Sequence, residues 1–130
     1  MIRKIETILL TLILLSTLFL VGCINQEETT ESLYAKGTTL LKQGKYNEAI
    51  ECYDKAIEID PYHKEAWNGK GGALLALGKY NEAIECFDKV ITIDPNLAYA
   101  WRNKGTAFLG LGKYSEAQEY FDKAKEIDNK

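Results

Sequence analysis

The stretch Gly44-Lys45-Tyr46-Asn47-Glu48-Ala49-Ile50-Glu51-Cys52-Tyr53-Asp54-Lys55-Ala56-Ile57-Glu58-Ile59-Asp60-Pro61 returns almost unchanged 34 residues later, from Gly78 to Pro95, and again in looser form from Gly112 to Asn129. A fixed period of this size leaves few options. Each copy is one supersecondary unit that cannot bury its apolar face alone, so the copies must stack and share a core. Aligned on the period, the units are 30–63, 64–97 and 98–130. Numbered from the first residue of each unit, position 4 is Leu33, Trp67, Trp101; position 8 is Gly37, Gly71, Gly105; position 11 is Leu40, Leu74, Phe108. Position 17 is Tyr46, Tyr80, Tyr114; position 20 is Ala49, Ala83, Ala117; position 24 is Tyr53, Phe87, Phe121; position 27 is Ala56, Val90, Ala124. These positions have helical spacing in two blocks. Gly44, Gly78 and Gly112 fall just past the first block, where a helix ends in a left-handed residue, and Pro61 and Pro95 stop the second. Each unit is therefore predicted to be a helical hairpin. Its position-8 glycine is expected to face the position-20 alanine where the helices cross, with the large residues at 4, 11, 17 and 24 filling the surrounding volume.

The order Trp, Gly, Tyr, Ala, Phe, Ala, Pro over this period resembles the tetratricopeptide repeat. The resemblance covers all three units and implies an all-α fold of three tandem hairpins in a short right-handed α-solenoid. There are departures. Lys36, Lys70 and Lys104 occupy position 7, where leucine is usual in the family; a lysine stem can cover core while its charge reaches water. Leu33 replaces the first tryptophan and Asn129 the last proline, both at the ends of the array. The ends read as finished. Positions 21 and 28 are Ile50 and Ile57, then Ile84 and Ile91, then Gln118 and Lys125, while positions 3 and 10 are polar only in the first unit, at Ser32 and Thr39. An apolar remainder at Leu111, Tyr120 and Ile127 leaves open the pairing of two copies.

Before the repeats stands a different kind of sequence. Arg3 and Lys4 precede an apolar run, Ile8 to Val21, interrupted by Thr11, Ser16 and Thr17. The run closes on Leu20-Val21-Gly22-Cys23, which resembles the lipobox of prokaryotic lipoproteins. That resemblance implies cleavage behind Gly22 and a thioether-linked lipid on Cys23, whose two acyl chains would hold a domain at a bilayer. An uncleaved membrane helix is the alternative, although the apolar run is short for a span of about 20 residues. Segment 1–22 is thus read as signal peptide or anchor and 23–29 as a short polar tether. Either reading puts the repeats at the extracytoplasmic face of a cell membrane.

In the resembling family the first helices line a concave groove. On a helical wheel, positions 2, 5, 9, 12 and 13 point away from the 4-8-11 stripe. The groove residues expected from this are Tyr34, Thr38, Leu41, Lys42, Glu65, Asn68, Gly72, Leu75, Tyr99, Arg102, Thr106 and Leu109, with Glu31 at position 2 of the first unit pointing the same way. Leu41, Leu75 and Leu109 form an apolar line, Gly72, Ala76 and Gly110 leave room for a ligand, and Tyr99 and Arg102 are residue types enriched at interaction hot spots. The expected partner is a protein or peptide segment; self-association through the terminal faces is the alternative. Family members that hold acidic chaperone tails carry lysine, arginine and asparagine at clamp positions occupied here by Tyr34, Thr38, Gly69, Tyr99 and Asn103, so that clamp is absent.

Other functions find little footing. The chain has 130 residues, 16 basic and 19 acidic, with the signs interspersed and a net charge of −3, which argues against nucleic acid. The lone histidine, His63, sits in a loop after Pro61 and reads as solvated, without the partners that a metal or a triad needs. Gly69-Lys70-Gly71-Gly72 lacks the spacing and the preceding strand of a phosphate loop. Glu48, Glu51, Asp54 and Glu58 read as a solvated face with lysines at i,i+4. Cys52 and Cys86 share position 23 of adjacent units, too far apart to be bridged. No cofactor is expected and no nucleophile–base constellation forms, so the chain reads as an interaction module and not an enzyme.

Overall fold

The computed structural model describes residues 2–24 and 27–130, with the side chains of residues 19–24 outside that description. Seven helices follow one another: α1 (Ile2–Ile24), α2 (Thr30–Lys42), α3 (Tyr46–Ile59), α4 (Lys64–Ala76), α5 (Tyr80–Ile93), α6 (Ala98–Gly110) and α7 (Tyr114–Asp128). Helices α2–α3, α4–α5 and α6–α7 are the three hairpins; α3 also packs on α4 and α5 on α6, so consecutive helices form one stacked array.

The turn inside each hairpin is fixed by a glycine. Gly44, Gly78 and Gly112 have φ of 74°, 73° and 74°. This left-handed conformation lets the next amide reach back. The amide of Lys45 donates to the Leu40 carbonyl at 3.0 Å and that of Gly44 to Leu41 at 3.0 Å; Lys79 with Leu74 and Lys113 with Phe108 repeat the first bond. The orphan carbonyls of α2, α4 and α6 are satisfied within the turn. Between units the chain leaves α3 and α5 through Asp60 and Asp94, whose carboxylates accept from the amides of Tyr62 and Asn96.

The crossing of each hairpin differs from the sequence expectation. A side chain at Gly37, Gly71 or Gly105 would first meet the position-24 ring, not the position-20 alanine: Tyr53 at 2.7 Å, Phe87 at 2.5 Å and Phe121 at 2.9 Å. The glycine gives up its volume to an aromatic ring from the partner helix. Alanines 49, 83 and 117 are fully buried beside these rings and let the helices approach. Tyr53 is larger than Phe87 by a hydroxyl, and Gly69 in the next unit clears space for it: a Cβ there would stand 2.5 Å from the ring carbon that bears the oxygen. The glycines of the Gly69–Gly72 stretch thus lie within helix α4, two of them making room for aromatic neighbours.

Three further links tie unit to unit. The indole N–H of Trp67 donates to the Pro61 carbonyl at 2.9 Å, and that of Trp101 to Pro95 at 2.9 Å. Unit one has no preceding proline, and Leu33 sits there instead, 2% exposed. The position-7 lysines do more than reach water: Lys70 pairs with Asp54 and Lys104 with Asp88, each at 2.6 Å across the unit boundary. Burial opposes the charge on Lys104, yet the hydrogen bond and charge of Asp88, with those of Tyr120, together outweigh it and raise its pKa. Tyr80 packs on Gly110 of the following unit, so Gly110 offers no room to a ligand, while Tyr114 is 72% exposed. Tyr80 at position 17 thus joins its own unit to the next. The helix-face carboxylates also differ from expectation: Glu48, Glu82 and Glu116 pair with lysines at i,i+3.

Helix α1 exposes its apolar side chains over the described length, Ile8 at 59%, Ile13 at 56% and Leu18 at 67%. Among the described residues it does not pack on α2–α7, and no helix there is long and apolar enough to cross a membrane. Cys23 lies in the backbone of α1 with its side chain outside the described set, and Asn25 and Gln26 of the tether lie outside the described residues.

Candidate functional site

Helix α2 touches α4, and α4 touches α6, so the first helices of the three units form one continuous face. The twelve residues expected on it are all partly or fully exposed. The leucine line is graded. Leu41 and Leu75 pack in part against the two core clusters, whereas Leu109 is 40% exposed. Across the middle of the face the Asn103 amide donates to the Asn68 side-chain oxygen at 2.9 Å, bracing α6 on α4. Gly72 has no atom within 4 Å of where a Cβ would stand, so open space lies over the centre. The Thr38 hydroxyl donates to the Tyr34 carbonyl at 2.9 Å and receives the Tyr53 hydroxyl at 3.4 Å.

Two expectations change here. Arg102 is not a free cation: its guanidinium meets the Asp128 carboxylate at 2.7 Å, near the end of α7. His63 is not solvated: it is 9% exposed and acts as the N-cap of α4, its Nδ1 accepting from the Ala66 amide at 3.1 Å. With Nδ1 accepting, the proton sits on Nε2, which donates to Glu31 at 3.2 Å. The ring also packs on Tyr34, centroids 5.3 Å apart, and Glu65 lies 3.6 Å from Nδ1. The signal available in the sequence was position: His63 immediately precedes a helix that lacks any Ser, Thr, Asp or Asn at its cap.

One rim of the face, at the N-terminal ends of α2 and α4, thus gathers Glu31, Tyr34, His63 and Glu65. Tyr99 belongs to the same rim. Burial pushes its hydroxyl pKa up, and the negative charge of Glu65 adds to that. Lys64 is committed elsewhere, to Asp94 at 3.1 Å, and this bond holds the Asp94 carboxyl below its usual range.

Apart from this face, a cleft of about 250 Å³ is lined by Trp67, Lys70, Leu74 and Cys86. Burial pushes the Cys86 thiol up to about 11, so it stays protonated and a poor nucleophile. Cys52 and Cys86 are free and buried. In unit three Tyr120 takes the equivalent position. It packs on Phe108 at 4.9 Å, with the Lys104 ammonium 4.5 Å over its ring, so its ring is engaged within its own unit.

A stack of helical hairpins with glycine-ended first helices and one continuous face of small, apolar and polar residues defines an α-solenoid scaffold. Family-level comparison agrees: the tetratricopeptide repeat family matches over residues 34–98 and again over 98–130. The chain belongs to the tetratricopeptide repeat family. Among curated proteins it is similar to RNA polymerase II-associated protein 3 of Rattus norvegicus, 58% identical over 31 residues, which are 24% of this chain and 5% of that protein. The chain therefore spans only a small fraction of that relative's length. Among solved structures it is similar to the first repeat domain of Spaghetti bound to the HSP90 peptide SRMEEVD, at 28% identity and TM-score 0.75, covering 80% of this chain and 82% of that one. It is also similar to MamA, at 29% identity and TM-score 0.74, covering 78% of this chain and 59% of that one.

Proposed function

We propose that this chain is a protein-interaction module that receives a peptide segment on the face formed by α2, α4 and α6. The observation that carries the reading is the continuity of that face: it crosses all three units, none of its twelve expected residues is buried, and the space over Gly72 is open. The peptide complex of the similar Spaghetti domain supports it by analogy of fold. The clearest probe is Leu109, the most exposed of the three leucines. Peptides selected from a displayed random library against the full chain in detergent should bind about tenfold more weakly to Leu109→Lys, while its thermal midpoint stays within a few degrees. Unchanged binding by a folded variant would remove the groove from consideration. It would favour instead self-association through the terminal faces, which exposed Tyr114 supports.

The proposal includes an anchor. A lipid on Cys23 would hold the module at the extracytoplasmic face of a membrane, and what supports this is the Leu20-Val21-Gly22-Cys23 sequence behind the exposed apolar side chains of α1. Mass spectrometry of protein purified from membranes should find Cys23 as an acylated N-terminus, and Cys23→Ser should retain the leader. Recovery of an intact Met1 without acyl mass overturns the anchor while leaving the groove untouched.

A further inference from the structure

We infer that the groove selects a peptide carrying a basic side chain, which lodges at the rim between Glu31 and Glu65 with the Tyr34 and Tyr99 rings beside it. The inference rests on the groove reading above and adds the chemistry of the partner. Its ground is a pair of carboxylates, from adjacent first helices, that meet at one histidine without a basic partner. Glu31 and Glu65 are 80% and 47% exposed, and among the described residues neither has a lysine or arginine within ion-pairing distance. Their one shared neighbour is His63, which uses Nδ1 to cap α4 and so meets Glu31 as a neutral donor. The cations that could neutralise the rim are bound elsewhere, Lys64 to Asp94 and Arg102 to Asp128.

The first-turn carboxylates of the second helices differ. Glu48, Glu82 and Glu116 each have a lysine three residues earlier within 4 Å. A helix N-terminus tolerates one glutamate in its first turn, as α2 and α4 both show, and this explains each residue singly. It does not explain why the two converge on one buried histidine from adjacent helices. Nor does it explain the aromatic walls: Tyr34 packs 5.3 Å from the His63 ring, and the Tyr99 hydroxyl feels the charge of Glu65. Two carboxylates between phenol rings suit a lysine or arginine, which gains ion pairing at its tip and cation–π contact along the ring faces. The stem of such a residue would lead the rest of the peptide onto the leucine line.

The similar Spaghetti domain is bound to SRMEEVD, a peptide with three acidic residues and one arginine. For the present chain the opposite preference follows. Two synthetic peptides of one length, both with leucine at alternate positions, one with lysines and the other with glutamates between them, provide the test against the full chain in detergent. The lysine peptide should bind about tenfold more tightly at low salt, as expected for two exposed ion pairs. The preference should shrink with added salt and vanish in Glu31→Gln/Glu65→Gln, whose thermal midpoint reports any loss of fold. Equal or tighter binding of the glutamate peptide overturns the inference while leaving the groove reading intact. A preference that survives the double substitution also overturns it. Failure of both peptides to bind the unaltered chain overturns the groove reading itself.

Discussion

Gly71→Leu is expected to destabilise the protein by about 3 kcal/mol or more, or to prevent the middle hairpin from forming. A Cβ at this position alone would stand 2.5 Å from one carbon of the Phe87 ring and 2.8 Å from the next. The ring has no retreat: Phe87 is fully buried among Leu74, Ala83 and Cys86. Interiors at native density resist such insertion because every displaced atom must move another. The neighbouring Gly72 supplies the comparison, because no atom lies within 4 Å of its Cβ position. Gly72→Leu should leave stability unchanged or raise it by about 0.5–1 kcal/mol, since leucine is the better helix former. Urea denaturation followed by the fluorescence of Trp67 and Trp101 measures both. Similar losses for the two variants would mean that the ring contact at Gly71 is not the cause.

Phe87→Ala should cost about 3–5 kcal/mol, the usual range for emptying a buried aromatic site. The site is the more demanding for its glycine wall, because Gly71 has no side chain to collapse into the cavity. That same geometry makes the two substitutions complementary. In a Phe87→Ala background the leucine at position 71 enters space the ring has left, so its own cost should fall by at least about 1 kcal/mol, a coupling of the size found between residues in contact. A double-mutant cycle on the same denaturation signal reads the coupling directly. Additive losses would show that leucine and ring do not compete for one volume.

These two predictions also mark where sequence reasoning stopped. The 34-residue period, the glycines past each first helix and the prolines past two of the second helices made the hairpins legible, because each acts on local backbone geometry. Spacing also placed Gly71 at the crossing. It could not say that Phe87 and not Ala83 fills the gap, because spacing gives direction and not reach: a ring extends across the interface while an alanine only permits approach. The links between units were hidden for a related reason. Lys70 and Asp54 are neighbours only after stacking, so a search along one helix for i,i+4 partners passes over them. A signal existed in the parallel recurrence of lysine at position 7 and of Asp54, Asp88 and Asp122 at position 25. On the candidate face, the sequence named the exposed positions but not their partners. Arg102 is tied down by Asp128 from α7, and His63 is buried under Tyr34; both depend on helices brought together by the stack.

The indole-to-carbonyl links give the array a direction, and direction governs how it can grow. Each such bond takes its donor from one unit and its acceptor from the unit before, so a unit is a connector with unlike ends. The middle unit, residues 64–97, uses both halves, Trp67 to donate to its predecessor and the Pro95 carbonyl to accept from its successor. The first unit has Leu33 in place of the donor, and the last has Asn129 in place of the proline. Duplication of the middle unit therefore lengthens the chain with matched joints, whereas duplication of the first unit puts Leu33, whose side chain has no N–H to donate, inside the stack. A change in the number of units would extend the face of first helices by whole repeats.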